Sequence, residues 1–298
     1  IAGGRARRRV KALSLRVDTP TRYFAMLWLL ALVFATATIG LQMAAVAITF
    51  VLVLGVLAIL TALWTQPVTR YGARATTVVF TIACVLLAAV FALVVYDGLF
   101  FWRIVTTPLP GWTDVTRAIG LFAQRLGLPS TALLNPFAFV VLPAVLLAPL
   151  RLGREGFGLG RFRPGAWKVA LLWIGVGVAV PLVELVVRSW DPALLGFRFA
   201  ADFVPNGFSE EFLCRGVILG VLASRIGPSG ANVVQAVAFA VFHAGSELRD
   251  YHSLIVGMSH SLLTNGVIGY ALGFVTLRTG NIAIAGAFHA LLDAWIVQ

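Results

Sequence analysis

Charge is scarce in this chain. Acidic and basic residues make up 12% of its 298 residues, about half the ~25% share typical of a soluble domain. The whole run from Phe24 to Trp64 carries no charge. Lysine is nearly missing: Lys11 and Lys168 are the two present, so the net charge of +11 rests on arginine. The two cysteines, Cys84 and Cys214, stand far apart without metal-ligand spacing and read as small buried hydrophobes. There is no nucleic-acid motif, so the basic excess is read as membrane topology and contact with anionic lipid. There is no internal repeat, which counts against a transporter built from inverted halves. No short signal core follows the N-terminal basic residues, because the apolar stretch behind them is far too long for one.

Apolar residues are what the chain has in excess, 60% of the total with a mean hydropathy of +0.94. That composition predicts an all-α fold, a polytopic transmembrane helical bundle. A single helix over Phe24–Trp64 would be ~60 Å long, twice the hydrocarbon thickness, so two spans are expected, turning near Gly40 and Gln42. Further spans are expected at about 76–96, 136–150, 169–187, 203–224, 229–245, 253–277 and 282–297, about eight or nine in all. Glu184 and Arg188 are placed as a helix-end ion pair. Between the third and fourth spans, residues 97–135 form a mixed loop broken by Pro108, Pro110, Gly111 and Pro129. Its middle, 114–128, reads as an amphipathic interfacial helix. The chain therefore divides into a basic arm (1–23), N-terminal transmembrane helices (24–200) and a C-terminal transmembrane core (201–298). With the N-terminus cytoplasmic, the inner side collects 16 Lys/Arg and the outer side 6, the favoured asymmetry.

The rare charges concentrate where they are most costly. Glu210 and Glu211 adjoin in an apolar helix, Arg215 follows, and all four histidines (His243, His252, His260, His289) lie downstream. Ionisable groups in a membrane are functional candidates by default. Glu211 and Arg215 are spaced i, i+4 for an ion pair, and Glu210, rotated about 100° around the helix, is freer to act on water. Phe239 and His243 share one helix face, and His289 and Asp293 another. Alternating helix direction brings Glu210, His243 and His289 to similar depth. Counting Glu210, Glu211 and Asp293 against Arg215 leaves a surplus of negative charge that protons or a divalent cation must cancel. Both suit hydrolysis, through a carboxylate base or a metal-activated water. Each residue also has a plain structural reading: acids in a first helical turn after Pro205-Asn206-Gly207 and Ser209 complement the helix dipole, and membrane histidines often serve as packing contacts. His260 and Asn265 read as polar packing groups or cavity lining, and His252 as a loop residue.

The segments Glu210-Glu211-Phe-Leu-Cys-Arg215, Phe239-Ala-Val-Phe-His243 and His289-Ala-Leu-Leu-Asp293 resemble, in order and spacing, the E-E-x-x-x-R, F-x-x-x-H and H-x-x-x-N/D motifs of the CAAX protease and bacteriocin-processing (CPBP, or ABI) intramembrane proteases. This family includes the type 2 CAAX prenyl endopeptidases. The resemblance covers roughly 203–297 and implies a conical catalytic cavity within the C-terminal helices. It implies Glu210 as general base, His243 and His289 around the nucleophilic water, positioning it or stabilising the oxyanion, Glu211 and Arg215 as a supporting pair, and Asp293 where many members carry Asn. It leaves two chemistries open: a divalent metal, zinc or similar, held by Glu210, His243, His289 and Asp293, or a metal-free glutamate mechanism. The implied partners are the lipid bilayer and a membrane-anchored peptide or protein substrate. The arginine-rich style points to the plasma membrane of a GC-rich prokaryote and, by analogy, to substrates other than prenylated ones. A proton- or cation-coupled transporter and a non-catalytic immunity or scaffold protein of the same fold are the alternative readings.

Overall fold

The structure, a computed structural model, describes residues 18–68, 76–188 and 191–296. Residues 1–17 of the basic arm, Arg70 and Arg74 lie outside the described residues, as do the side chains of Glu184 and Arg188, whereas residues 19–23 of the arm belong to the first helix. Among the described residues the fold is helical without strands, apart from one isolated bridge between Leu159 and Asn281. Helix α1 spans Thr19–Ile39 and α2 Leu41–Trp64. The single residue between them, Gly40, has φ 116°, and it is where the uncharged run was expected to turn. Helix α3 covers Thr77–Phe101, α4 Trp112–Arg125, α5 Thr131–Leu150 and α6 Ala166–Arg188. Helix α4 is the amphipathic segment expected in the long loop.

A helical run then continues from α7 (Pro192–Asp202) through Phe242. It passes through π-helical turns at Phe203–Phe208 and Phe212–Ile218, which flank Ser209–Glu211. The acids therefore do not occupy a helix start: Pro205 and Gly207 lie inside a continuing helix, and the first-turn reading of Glu210 and Glu211 is corrected. The run breaks inside α8 (Leu219–Phe242) at Gly227, whose φ of 79° and ψ of 163° are non-helical, just before Pro228. This kink falls where two separate spans were expected to meet. Helices α9 (Ala244–Tyr251), α10 (Leu254–Ser261), α11 (Val267–Thr279) and α12 (Ala283–Ile296) complete the bundle.

Among the described residues six helical stretches are long and apolar enough to cross a membrane, against the eight or nine expected. The difference arises because 196–242 counts as one kinked stretch, 253–277 is divided into Leu254–Ser261 and Val267–Thr279 by a π-helical turn, and the apolar helix at Ala283–Ala294 is short. Burial sorts the stretches by role. The stretch from Gly196 to Phe242 is 44% buried, whereas α1, α2 and α3 are 17–22% buried. Exposed Leu30, Val33, Leu41, Leu52 and Val78 give the first three helices an apolar outer face suited to lipid tails. Their inner faces close on the C-terminal helices. Val90 and Val94 of α3 pack with Phe139, Leu213 and Val217. Leu54 and Leu57 of α2 pack with Trp173, Leu272 and Phe288. Ala31 and Ala35 of α1 pack with Ala236, Ala240 and Leu263. The site-bearing helices thus form the centre, and the N-terminal helices form their sheath.

Candidate active site

Glu210 and Glu211 have separate environments, as their rotation around the helix requires. Glu211 is fully buried, and its Oε1 lies 2.9 Å from Arg215 Nη1, also fully buried. The same oxygen accepts from His289 Nδ1 at 3.0 Å. Glu211 is therefore the junction between the first and third motifs, which the sequence did not indicate: there, Asp293 was the carboxylate placed on the face of His289. Asp293 Oδ2 instead faces the other ring nitrogen, Nε2, at 3.6 Å, and Glu210 Oε2 faces it at 3.9 Å. Two carboxylate oxygens turned toward one imidazole nitrogen require a proton among them, on the ring or on a carboxyl. That proton offsets part of the negative surplus counted from the sequence.

The contact between Glu211 and His289 depends on a close helix approach. A Cβ at Gly207 would lie 2.7 Å from Gly286 O and 2.8 Å from the Ala290 Cβ, so glycine lets the 203–211 segment press onto α12. Gly207→Val is expected to separate them, lowering stability by about 1–3 kcal/mol as an overpacking change. A melting temperature in detergent checks this; a variant as stable as the parent would show that the approach is not set by the missing Cβ.

His243 is oriented by its own helix. Its Nδ1 donates to Phe239 O at 2.8 Å, since a carbonyl only accepts. In the neutral ring the lone pair then sits on Nε2. The Phe239 ring joins the groups: its centroid is 4.7 Å from the His243 ring and 5.7 Å from the His289 ring, and the Arg215 guanidinium stacks on it at 3.9 Å. A buried aromatic here keeps water from the Arg215–Glu211 pair, which strengthens the pair's electrostatics and adds a cation–π contact.

Glu210 Oε2 is buried without a hydrogen-bond partner among the described residues. Glu210 lines a cavity of about 270 Å³ together with His243, Asp97, Asn135, Phe139 and Phe242. His289 and Asp293 are not part of that lining; they stand behind Glu210 and reach it through the carboxylate contacts. A wider groove of about 680 Å³ shares Asp97, Phe101 and Leu134 with the cavity and is otherwise lined from α4 and its flanking loops, including Arg103, Arg117 and Gln124. Trp112 Nε1 donates to Asp97 Oδ1 at 2.9 Å, tying α4 to α3 at the point where groove and cavity meet.

Among the described residues no three His, Cys, Asp or Glu side chains form a metal-holding group. Glu210 and His243 line the same cavity, and the Nδ1 atoms of both His243 and His289 are committed to other partners, which leaves Nε2 as the free nitrogen of each ring. The donor chemistry of imidazole nitrogen and carboxylate oxygen suits zinc; no step below passes through a metal.

The remaining polar candidates settle elsewhere. His260 Nδ1 lies 2.8 Å from Glu247 Oε2, Asn265 Nδ2 donates to Glu247 Oε1 at 3.3 Å, and neither residue lines the cavity. The pair ties α10 and the turn after it to α9. His252 caps the end of α9 with φ 52°. The close-packing Gly269 and Gly273 meet Asn232 and Gln235 of α8, where Gln235 Nε2 donates to Gly269 O at 2.8 Å. The sequence reading overlooked Asn135, which lines the cavity, and Asp97. The available signal was a lone amide or acid at the end of an otherwise apolar helix.

Fold and site together define a helical membrane protein with an acid–histidine centre buried in its C-terminal helices. Residues 192–295 match the family model for type II CAAX prenyl endopeptidase, Rce1-like, the family that the three motifs resemble. All seven motif residues fall inside the matched segment, and Asp97 and Asn135 fall outside it. No curated protein and no solved structure matches the chain.

Proposed function

We propose that the protein is an intramembrane endopeptidase that hydrolyses a peptide bond of a membrane-anchored peptide or protein. The observation that carries this reading is the placement of Glu210 on the wall of a cavity that His243 also lines, with its buried Oε2 turned toward His289 Nε2 at 3.9 Å. A water in this cavity gives its proton to Glu210 as its oxygen attacks the scissile carbonyl carbon. The carbonyl electron pair moves onto oxygen. Collapse of the tetrahedral intermediate breaks the C–N bond, and the proton held by Glu210 passes to the leaving amine. His243, with its lone pair on Nε2, holds the water. His289 and Asp293 set the charge behind Glu210, while Glu211 and Arg215 hold His289 in place. The match to a protease family over the same helices supports the reading. The groove beside the cavity offers a path for an extended chain whose anchor stays in lipid.

The test is hydrolysis by the full chain in proteoliposomes, using a set of fluorescence-quenched peptides with a transmembrane or lipid anchor, farnesylated and unprenylated, and following those that the parent cleaves. Glu210→Ala and His289→Ala are both expected to lose cleavage. If both variants cleave as fast as the parent, the protease reading fails.

A further inference from the structure

Hydrolysis of a peptide bond places negative charge on the carbonyl oxygen, and a buried cavity needs a hydrogen-bond donor to receive it. Several polar groups on the wall of the Glu210 cavity cannot take that role. Asp97 and Glu210 present carboxyl oxygens. The His243 Nδ1–H is committed to Phe239 O, and the Ser246 hydroxyl donates to His243 O at 2.9 Å. Asn135 differs. Its Nδ2 donates to Asn206 Oδ1 at 2.9 Å, and Asn206 Nδ2 donates in turn to Asp202 Oδ1 at 3.1 Å.

The end of that chain fixes its direction. A carboxylate oxygen accepts, so Asn206 must turn its NH₂ toward Asp202 and its carbonyl toward Asn135. Asn135 must then turn its own NH₂ toward Asn206. One of its two N–H bonds is used there, and the second belongs to an amide on the cavity wall. The orientation of an amide, ordinarily ambiguous between oxygen and nitrogen, is set here by a carboxylate two residues along the chain of bonds. The donor also comes from a different part of the chain: Asn135 lies on α5, outside the matched segment 192–295, and is joined to it through Asn206.

We propose that Asn135 is a catalytic hydrogen-bond donor, its side-chain amide binding the carbonyl oxygen of the scissile bond and the oxyanion formed from it. The proposal rests on the hydrolytic reading of the Glu210 cavity. Asn206 is a positioning residue that acts through Asn135. The N-terminal helices are then part of the catalytic machinery as well as a sheath around it.

The experiment compares the parent, Asn135→Ala, Asn135→Asp, Asn206→Ala and Glu210→Ala in proteoliposomes with a quenched anchored peptide that the parent cleaves, and records melting temperatures. Asn135→Ala is expected to lower kcat about 100-fold with little change in KM, the usual effect of losing one oxyanion donor. Asn135→Asp should be worse than Asn135→Ala, because a carboxylate repels the charge that the amide stabilises. Asn206→Ala should fall between the parent and Asn135→Ala. A parent-like kcat in Asn135→Ala beside an inactive Glu210→Ala would overturn the donor role and leave the hydrolytic reading standing. A parent-like Glu210→Ala would overturn both. Equal losses in Asn135→Ala and Asn135→Asp, with lowered melting temperatures, would make Asn135 a packing contact and also overturn the donor role.

Discussion

Arg215→Met is expected to lower stability by about 3–5 kcal/mol, the cost of leaving a buried charge without its partner. Arg215 and Glu211 are both fully buried, 2.9 Å apart, and the guanidinium also rests on Phe239. Methionine keeps much of the volume and removes the charge. Glu211 is then left with His289 as its remaining partner, and His289 must answer to three carboxylates without help. Thermal melting in detergent reads the loss.

The double variant Arg215→Met/Glu211→Gln separates two roles of the pair. Replacing a buried ion pair by neutral groups of similar size is often close to neutral in stability, so much of the single variant's loss should return. Hydrolysis should not return with it, because the neutral amide at 211 no longer supplies the charged oxygen that holds His289 Nδ1 at 3.0 Å. Stability and cleavage rising together would mean that the pair only supports the fold. A double variant as unstable as Arg215→Met would mean that the cost lies in lost packing on Phe239.

The legible part of this protein was the part governed by short-range spacing. The i, i+4 relation of Glu211 to Arg215 needed only helix geometry, and that ion pair is formed. The turn at Gly40 followed from helix length against membrane thickness, and the kink at Gly227 falls between the two spans expected at 203–224 and 229–245. What could not be read were contacts between distant helices with no periodic signal. The binding of Glu211 to His289 spans 78 residues and depends on a missing Cβ at Gly207, which looked like part of a helix start. The Asn135–Asn206 bond spans 71 residues and links residues that carry no motif of their own. The metal-ligand set was a sum of residue types, and residue types do not say how side chains converge. A −2 charge count says that something must compensate, but it does not distinguish a metal from a proton shared between His289 and its carboxylate neighbours.

Glu210→Gln is expected to reduce kcat about 10²–10⁴-fold, the usual contribution of a positioned general base, without destabilising the protein. The two effects come from the same feature. Glu210 Oε2 has no hydrogen-bond partner among the described residues, and His289 Nε2 stands 3.9 Å from it. A buried carboxylate so poorly satisfied costs free energy in the folded state. An isosteric amide removes that cost while keeping the cavity's shape, so the melting temperature should hold or rise as activity falls, the trade expected at a site kept for function rather than stability. Glu210→Asp tests position instead of chemistry: it keeps the acid but withdraws it by one methylene, and a displacement of about 1 Å can cost on the order of 100-fold. Partial activity in Glu210→Asp, less in Glu210→Gln, and undiminished stability in Glu210→Gln form the pattern of a base aimed into the cavity. A Glu210→Gln variant that cleaves normally but melts earlier would show the opposite, a carboxylate held for its contact with His289 and Arg215's field, and the nucleophilic water would need another base.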